Sequence, residues 1–201
     1  MTPAIHILMH CTAIKKLGAT EEILSLTQLS KKDFDTAIQW CLDTGRVLEV
    51  EGKYLLSPAG QMIVKNEYSR FCEALRVDTR FLSSYDRFET INKQLKNIIT
   101  RWQTMEVGGQ RVKNLHDDSS YDDSIVGELG DLHEMFEPIL AGLISGEKRY
   151  SIYGIKLEKA LNSAEDGDIQ WVSDASIDSY HTVWFELHED LLRVMGKERV
   201  E

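Results

Sequence analysis

Residues 178–190, Asp178-Ser179-Tyr180-His181-Thr182-Val183-Trp184-Phe185-Glu186-Leu187-His188-Glu189-Asp190, hold the densest mixture of groups able to do chemistry. On a helix, Tyr180, Trp184, Leu187 and Leu191 fall on one stripe, and His181, Phe185, His188 and Leu192 on the next. Two imidazoles among aromatics and carboxylates suit proton transfer, with His181 or His188 as the base and Glu186 or Glu189 orienting it. The same pattern also fits a core helix whose histidines bond to backbone. A metal is poorly served. His181 and His188 face one way but stand about 10 Å apart along a helix axis. HExxH is absent, His133 and Glu137 make a lone i, i+4 pair, and adjacent His116-Asp117-Asp118 seldom all point inward. No metal site is expected.

Other machinery is missing from the sequence. There is no GxxxxGK[ST], no GxGxxG and no GxSxG. The chain therefore brings no recognisable nucleotide cradle or hydrolase elbow. Cys11, Cys41 and Cys72 are odd in number, far apart and in helical segments, which fits reduced structural thiols in a cytoplasmic protein better than nucleophiles. Met1-Thr2-Pro3-Ala4 lacks the basic start of a secretory leader. No apolar run approaches the roughly 20 residues of a membrane span. Hydrophobic residues at 42% and charged ones at 28% make an ordinary globular balance, and only 3 prolines and 13 glycines argue against disorder and against an all-β chain full of turns.

The elements that must position these groups begin with residues 4–17, a helix with Ile5, Leu8, Met9, Thr12 and Ala13 in rhythm and Gly18 as its stop. Thr20 is expected to cap a short helix, Ile23 to Leu26. Ser30-Lys31-Lys32-Asp33 opens a third, which presents Phe34, Ala37, Ile38 and Cys41 and ends at Gly45. Val47–Val50, the turn Glu51-Gly52-Lys53 and Tyr54–Leu56 read as a β-hairpin, and Ser57-Pro58 starts another helix. Three helices and then a hairpin is the order of a winged helix-turn-helix, and the hairpin resembles the wing of MarR-like repressors. The fold expected is mainly α with a small β-hairpin: a winged helix over residues 1–60, then an α-helical domain over 61–201.

In that second part, residues 58–104 read as one long helix, or two bent near Val77-Asp78-Thr79. Residues 110–120 read as a polar break. Helices follow near 122–144, 151–162 and 178–195. Charge bears on partners. The chain carries 33 acidic and 23 basic side chains, a net charge of −10. Residues 1–60 hold six basic and seven acidic groups, so Lys31, Lys32, Arg46 and Lys53, the natural DNA contacts of a winged helix, sit in a near-neutral module. Residues 61–201 hold 17 basic and 26 acidic groups, which opposes a nucleic-acid groove there.

Tyr85-Asp86-Arg87-Phe88, Trp102-Gln103, Asn114 to Asp118, Tyr153-Gly154 and above all 178–192 resemble one family. It consists of small bacterial proteins, and fused segments, that accompany enzymes of the phosphoenolpyruvate synthase and pyruvate phosphate dikinase type. The resemblance covers nearly the whole chain. It implies a partner or acceptor-side subunit working with a larger ATP-grasp, phosphohistidine-type protein that supplies ATP and Mg. It further implies that Tyr180, Trp184, Phe185 and Glu189 suit a small aromatic or phenolic acceptor, that His181 or His188 deprotonates its hydroxyl, and that Arg87 meets the phosphoryl group. Tyr85, Asp86, His116 and Asp117 would complete the acceptor or partner surface. The alternative is a MarR-like regulator that binds DNA and senses a small ligand. A homodimer stays open under either.

Overall fold

The structure, a computed structural model, describes residues 3–198, so Met1 and Thr2 of the leader reading lie outside the described residues. It is mainly helical with small antiparallel sheets. The chain divides into two compact units: residues to Asp78 together with those from Glu186 onward, and Thr79–Phe185. The boundary expected at residue 60 falls inside a helix that stays with the first unit.

The first unit opens with α1 (Ala4–Lys15), β1 (Gly18–Ala19), α2 (Thr20–Thr27) and α3 (Lys31–Asp43). Ser30 caps α3: its Oγ accepts from the Asp33 N–H at 3.1 Å. A hairpin of β2 (Val47–Val50) and β3 (Lys53–Leu56) turns through Glu51 and Gly52, both at positive φ, as a two-residue turn matching strand twist requires. β1 pairs antiparallel with the other edge of β3, giving the order β1-β3-β2. Ser57 and Pro58 then start α4 (Pro58–Phe71), with the Ser57 Oγ accepting from the Gly60 N–H at 3.0 Å. α5 (Glu73–Val77) follows. The last helix (Tyr180–Met195) belongs to this unit from Glu186 onward.

Two expectations at the start change. α2 runs Thr20–Thr27 and its cap is Ala19, whose N–H is met by the Glu22 carboxylate at 2.7 Å, because Thr20 is already helical. Gly18 is not the stop of α1 but a strand residue. The helix ends instead at Lys16, with φ 61° and ψ −56°, where the Leu17 N–H reaches back to the Lys15 carbonyl at 2.6 Å. That is a γ-turn centred on a residue with a Cβ, a strained geometry.

The second unit is built on α6 (Thr79–Gln103) and α7 (Ser119–Gly146). The expected bend near Val77-Asp78-Thr79 is the break between α5 and α6, and a further break falls at Cys72. α6 and α7 run antiparallel: Phe88 meets Phe136, and the Arg101 guanidinium grips the Glu128 carboxylate with both nitrogens. Near the start of α6, a Cβ on Gly142 would lie 2.0 Å from the Ser84 Oγ. The segment joining them was expected as irregular. It is a second hairpin, β4 (Thr104–Val107) and β5 (Gln110–Lys113), turned by Gly108 and Gly109 at positive φ. Its strands are almost wholly exposed, so no hydrophobic alternation marks them. A 3-10 turn (Lys148–Tyr150), α8 (Ser151–Glu165), α9 (Gln170–Ser173) and the first turns of the last helix, α10, complete the unit. Among the described residues no helix is long and apolar enough to cross a membrane.

Two glycines separate close packing from open helix surface. A Cβ on Gly60 would lie 2.1 Å from the Arg46 carbonyl oxygen, which is backbone and cannot swing aside, whereas one on Gly127 in α7 meets nothing within 4 Å. Gly60→Ala is expected to lower unfolding free energy by about 1–3 kcal/mol, and Gly127→Ala to raise it by about 0.5–1 kcal/mol. Urea titration of both variants checks this.

Candidate functional site

The polar centre of the first unit is assembled by three helices. α1 is apolar around most of its surface, yet buries His6 and His10 one turn apart. α4 supplies Glu67 and Tyr68, and α10 supplies Asp190, which has no solvent exposure. His10 Nε2 lies 2.9 Å from Asp190 Oδ1, and its Nδ1 lies 2.9 Å from the Tyr68 hydroxyl. An ionised carboxylate only accepts, so Nε2 carries the hydrogen. In the neutral ring Nδ1 is then the acceptor for the Tyr68 O–H. The result is a line, Tyr68 to His10 to Asp190, that can pass a proton one way and hold an imidazolium against a buried carboxylate. His6 makes the neighbouring pair, its Nδ1 2.9 Å from Glu67 Oε2, with the Tyr68 ring edge-on to both imidazoles.

Burial pushes the Tyr68 hydroxyl well above the usual phenol range, and the Arg193 guanidinium bonded to it pulls part of the way back. Tyr68 and Arg193 line a cavity of about 600 Å³. Its other walls come from the end of α1 (Thr12, Ala13, Lys16), from Leu55 and Leu56 of β3, from Lys65 on α4 and from Glu189 and Leu192 on α10. Arg193 also pairs with Glu189 at 2.8 Å. The cavity can hold a small ligand against a hydroxyl wired to a base.

The residues expected to do chemistry are dispersed. Glu189 lines this cavity. Glu186 is buried and paired with the Lys15 ammonium at 2.6 Å. His188 is buried in the first unit, while His181 is half-buried in the second. Tyr180 and Trp184 are core residues of the second unit. The Trp184 indole N–H donates to Asn92 Oδ1 at 3.0 Å and its ring stacks on Phe88 at 5.0 Å. The Tyr180 hydroxyl meets His133 Nδ1 at 3.1 Å, and burial pushes its pKa up. Phe185 is exposed. Tyr85 is buried with its hydroxyl on Glu89 Oε1 at 2.6 Å, while Asp86 and Arg87 line a shallow surface hollow. His116 is held by Asp122 Oδ2 at 3.0 Å, beside an exposed Asp117. Among the described residues no group of His, Cys, Asp and Glu is arranged to hold a metal. Burial raises the Cys41 thiol to about 11, so it stays protonated near neutral pH.

Of the four DNA candidates, Lys31 is tied to Asp35 at 2.6 Å and Arg46 lies over the Trp40 ring at 4.3 Å. Lys32 and Lys53 are exposed. His10, Tyr68 and Arg193 escaped sequence reading. The signal was two histidines spaced i, i+4 inside the apolar α1, which a hydrophobic rhythm passes over. No family model, no curated protein and no solved structure matches the chain.

Two outcomes follow. Asp190→Ala strips the buried His10 Nε2–H of its acceptor, so stability in urea should fall by about 1–3 kcal/mol. In the second unit, burial holds the His133 imidazole below its ordinary range, against the opposing pull of Glu137, Glu158 and Glu165. The unfolded ring therefore takes its proton first. Its contribution is intact above about pH 6.5 and erodes as pH falls towards the depressed folded value. The drop in melting temperature from pH 7.5 to 5.5 should be smaller in His133→Gln than in the parent.

Proposed function

We propose that the chain is the acceptor-side component of an ATP-dependent phosphotransfer system of the phosphoenolpyruvate synthase and dikinase type. The observation that carries the reading is the Tyr68–His10–Asp190 line opening on a cavity. A ligand hydroxyl donates its proton to the Tyr68 oxygen while Tyr68 passes its own to His10 Nδ1. Asp190 holds the resulting imidazolium, and Arg193 steadies charge on the phenolic oxygen. The freed ligand oxygen bonds to the incoming phosphorus as the donor's bond to that phosphorus breaks. The donor protein, with ATP and Mg, is a larger partner, because this sequence carries no nucleotide motif. The base is thus Tyr68 with His10, in place of His181 or His188. Tyr180 and Trp184 serve as packing, and exposed Asp86 and Arg87 as surface for the partner.

One observation favours a second reading. The order α1-α2-α3-β2-β3, with β1 on the sheet edge, is compatible with the winged helix-turn-helix expected from the sequence. Leu55 and Leu56 of its wing strand line the same cavity, so a ligand there would touch the wing. A ligand-sensing MarR-like regulator would use that contact. The pairing of Lys31 with Asp35 weighs against it.

Capture of the tagged chain from its native host lysate is expected to bring down a large ATP-grasp, phosphohistidine-type protein. The recovered pair, given ATP, Mg and a hydroxyl compound, should release a phosphorylated product detected by mass spectrometry. Tyr68→Phe should slow that release by about 10²-fold with co-purification unchanged. Salt-sensitive retention of upstream DNA, with no such partner, gives the regulator instead.

A further inference from the structure

The cavity's charge says which hydroxyl compound it takes, and this step rests on the cavity being the ligand site. We infer that the ligand is a small anion, a carboxylate or phosphate ester that also bears a hydroxyl, and not a neutral phenol. The chain as a whole is strongly acidic at −10, yet the lining brings together Lys16, Lys65, Arg76, Arg193 and Lys197. Among the described residues of the lining, two carboxylates stand against these five cations. Glu189 is paired with Arg193 at 2.8 Å, and Glu198 lies 3.9 Å from Lys65.

Arg76 is the anchor. Its Nε donates to the Val194 carbonyl at 2.6 Å. Its guanidinium lies flat against Gly196, where a Cβ would come within 3.0 Å of Nη2. The fork is thereby held in place by backbone. Among the described residues it pairs with no carboxylate, so its charge is left for a ligand. Lys16 adds an independent sign. It reaches the rim from the strained γ-turn at φ 61°, a conformation that persists where surrounding structure over-determines it and that gathers at ligand sites. The aromatic side of the expectation is weak here: among the described residues Tyr68 is the lone aromatic in the lining, and Leu55, Leu56 and Leu192 offer only a short apolar wall. A volume of about 600 Å³ accommodates a metabolite-sized molecule.

Isothermal titration of the full chain with 4-hydroxybenzoate, glycerol 3-phosphate, inorganic phosphate and phenol tests this. A hydroxyl-bearing anion should bind at least tenfold more tightly than phenol, and its affinity should fall as salt rises. Arg76→Gln should weaken it about tenfold or more. Lys65→Gln, a change at an exposed side chain, should weaken it a fewfold with the melting temperature unchanged, and decides the matter if Arg76→Gln fails to fold. Phenol binding as tightly as 4-hydroxybenzoate overturns the inference, as does salt-insensitive binding or no binding by any anion. Inorganic phosphate alone binding as well as the organic anions overturns the hydroxyl requirement. The two levels separate cleanly. Anion binding without phosphorylated product sustains the inference and sinks the phosphotransfer reading. Phosphorylation of a neutral phenol does the reverse.

Discussion

A carboxylate cut off from water must be met by hydrogen-bond donors, and Asp190 is such a carboxylate. The constraint propagates outward. His10 has to sit on the inner face of α1, with its ring turned so that Nε2 faces α10 and Nδ1 faces α4. Tyr68 has to place its hydroxyl at the far nitrogen. Beside those three pinned helices, the end of α1, the face of α4 that carries Gln61, Lys65, Tyr68 and Ser69, and the end of α10 line the cavity. Tyr68, at one end of that line, is also part of the cavity wall.

The two units solve burial differently. In the second, aromatics dominate: Phe88, Phe136, Tyr180 and Trp184 contact one another, and each polar atom among them has a single partner, Asn92 for Trp184 and His133 for Tyr180. In the first, the core carries titratable groups in series, among them the Lys15–Glu186 pair. Networks of that kind are costly when half-satisfied and specify one arrangement when complete.

Much of the architecture was legible in the residues. Ser30 and Ser57 as caps, Gly45 after α3, the Glu51-Gly52 turn and the break at Asp78 each follow from local chemistry, and local chemistry prevails there. β1 was not legible, because two residues carry no period and pair only through a partner distant in sequence. The β4–β5 hairpin lacked alternation because neither face is buried. The site was legible only in part. The 178–190 segment drew attention for its histidines and aromatics, yet its member that joins the polar line of the first unit is Asp190. A lone aspartate cannot announce its partner when that partner, His10, lies 180 residues away.

That separation governs the order in which the molecule can be made. The second unit is one unbroken stretch, Thr79–Phe185, whereas the first is split, its polar centre completed by residues from Glu186 onward. On the ribosome His6 can meet Glu67, and His10 can meet Tyr68, once α4 has been made, whereas the Nε2 side of His10 must wait for Asp190. The later-made unit is free to fold before the earlier one closes. Closing the first around a segment so far along the chain carries a loop entropy that a prefolded 79–185 shortens in effect. The first unit is thus completed last, although most of its residues precede those of the second.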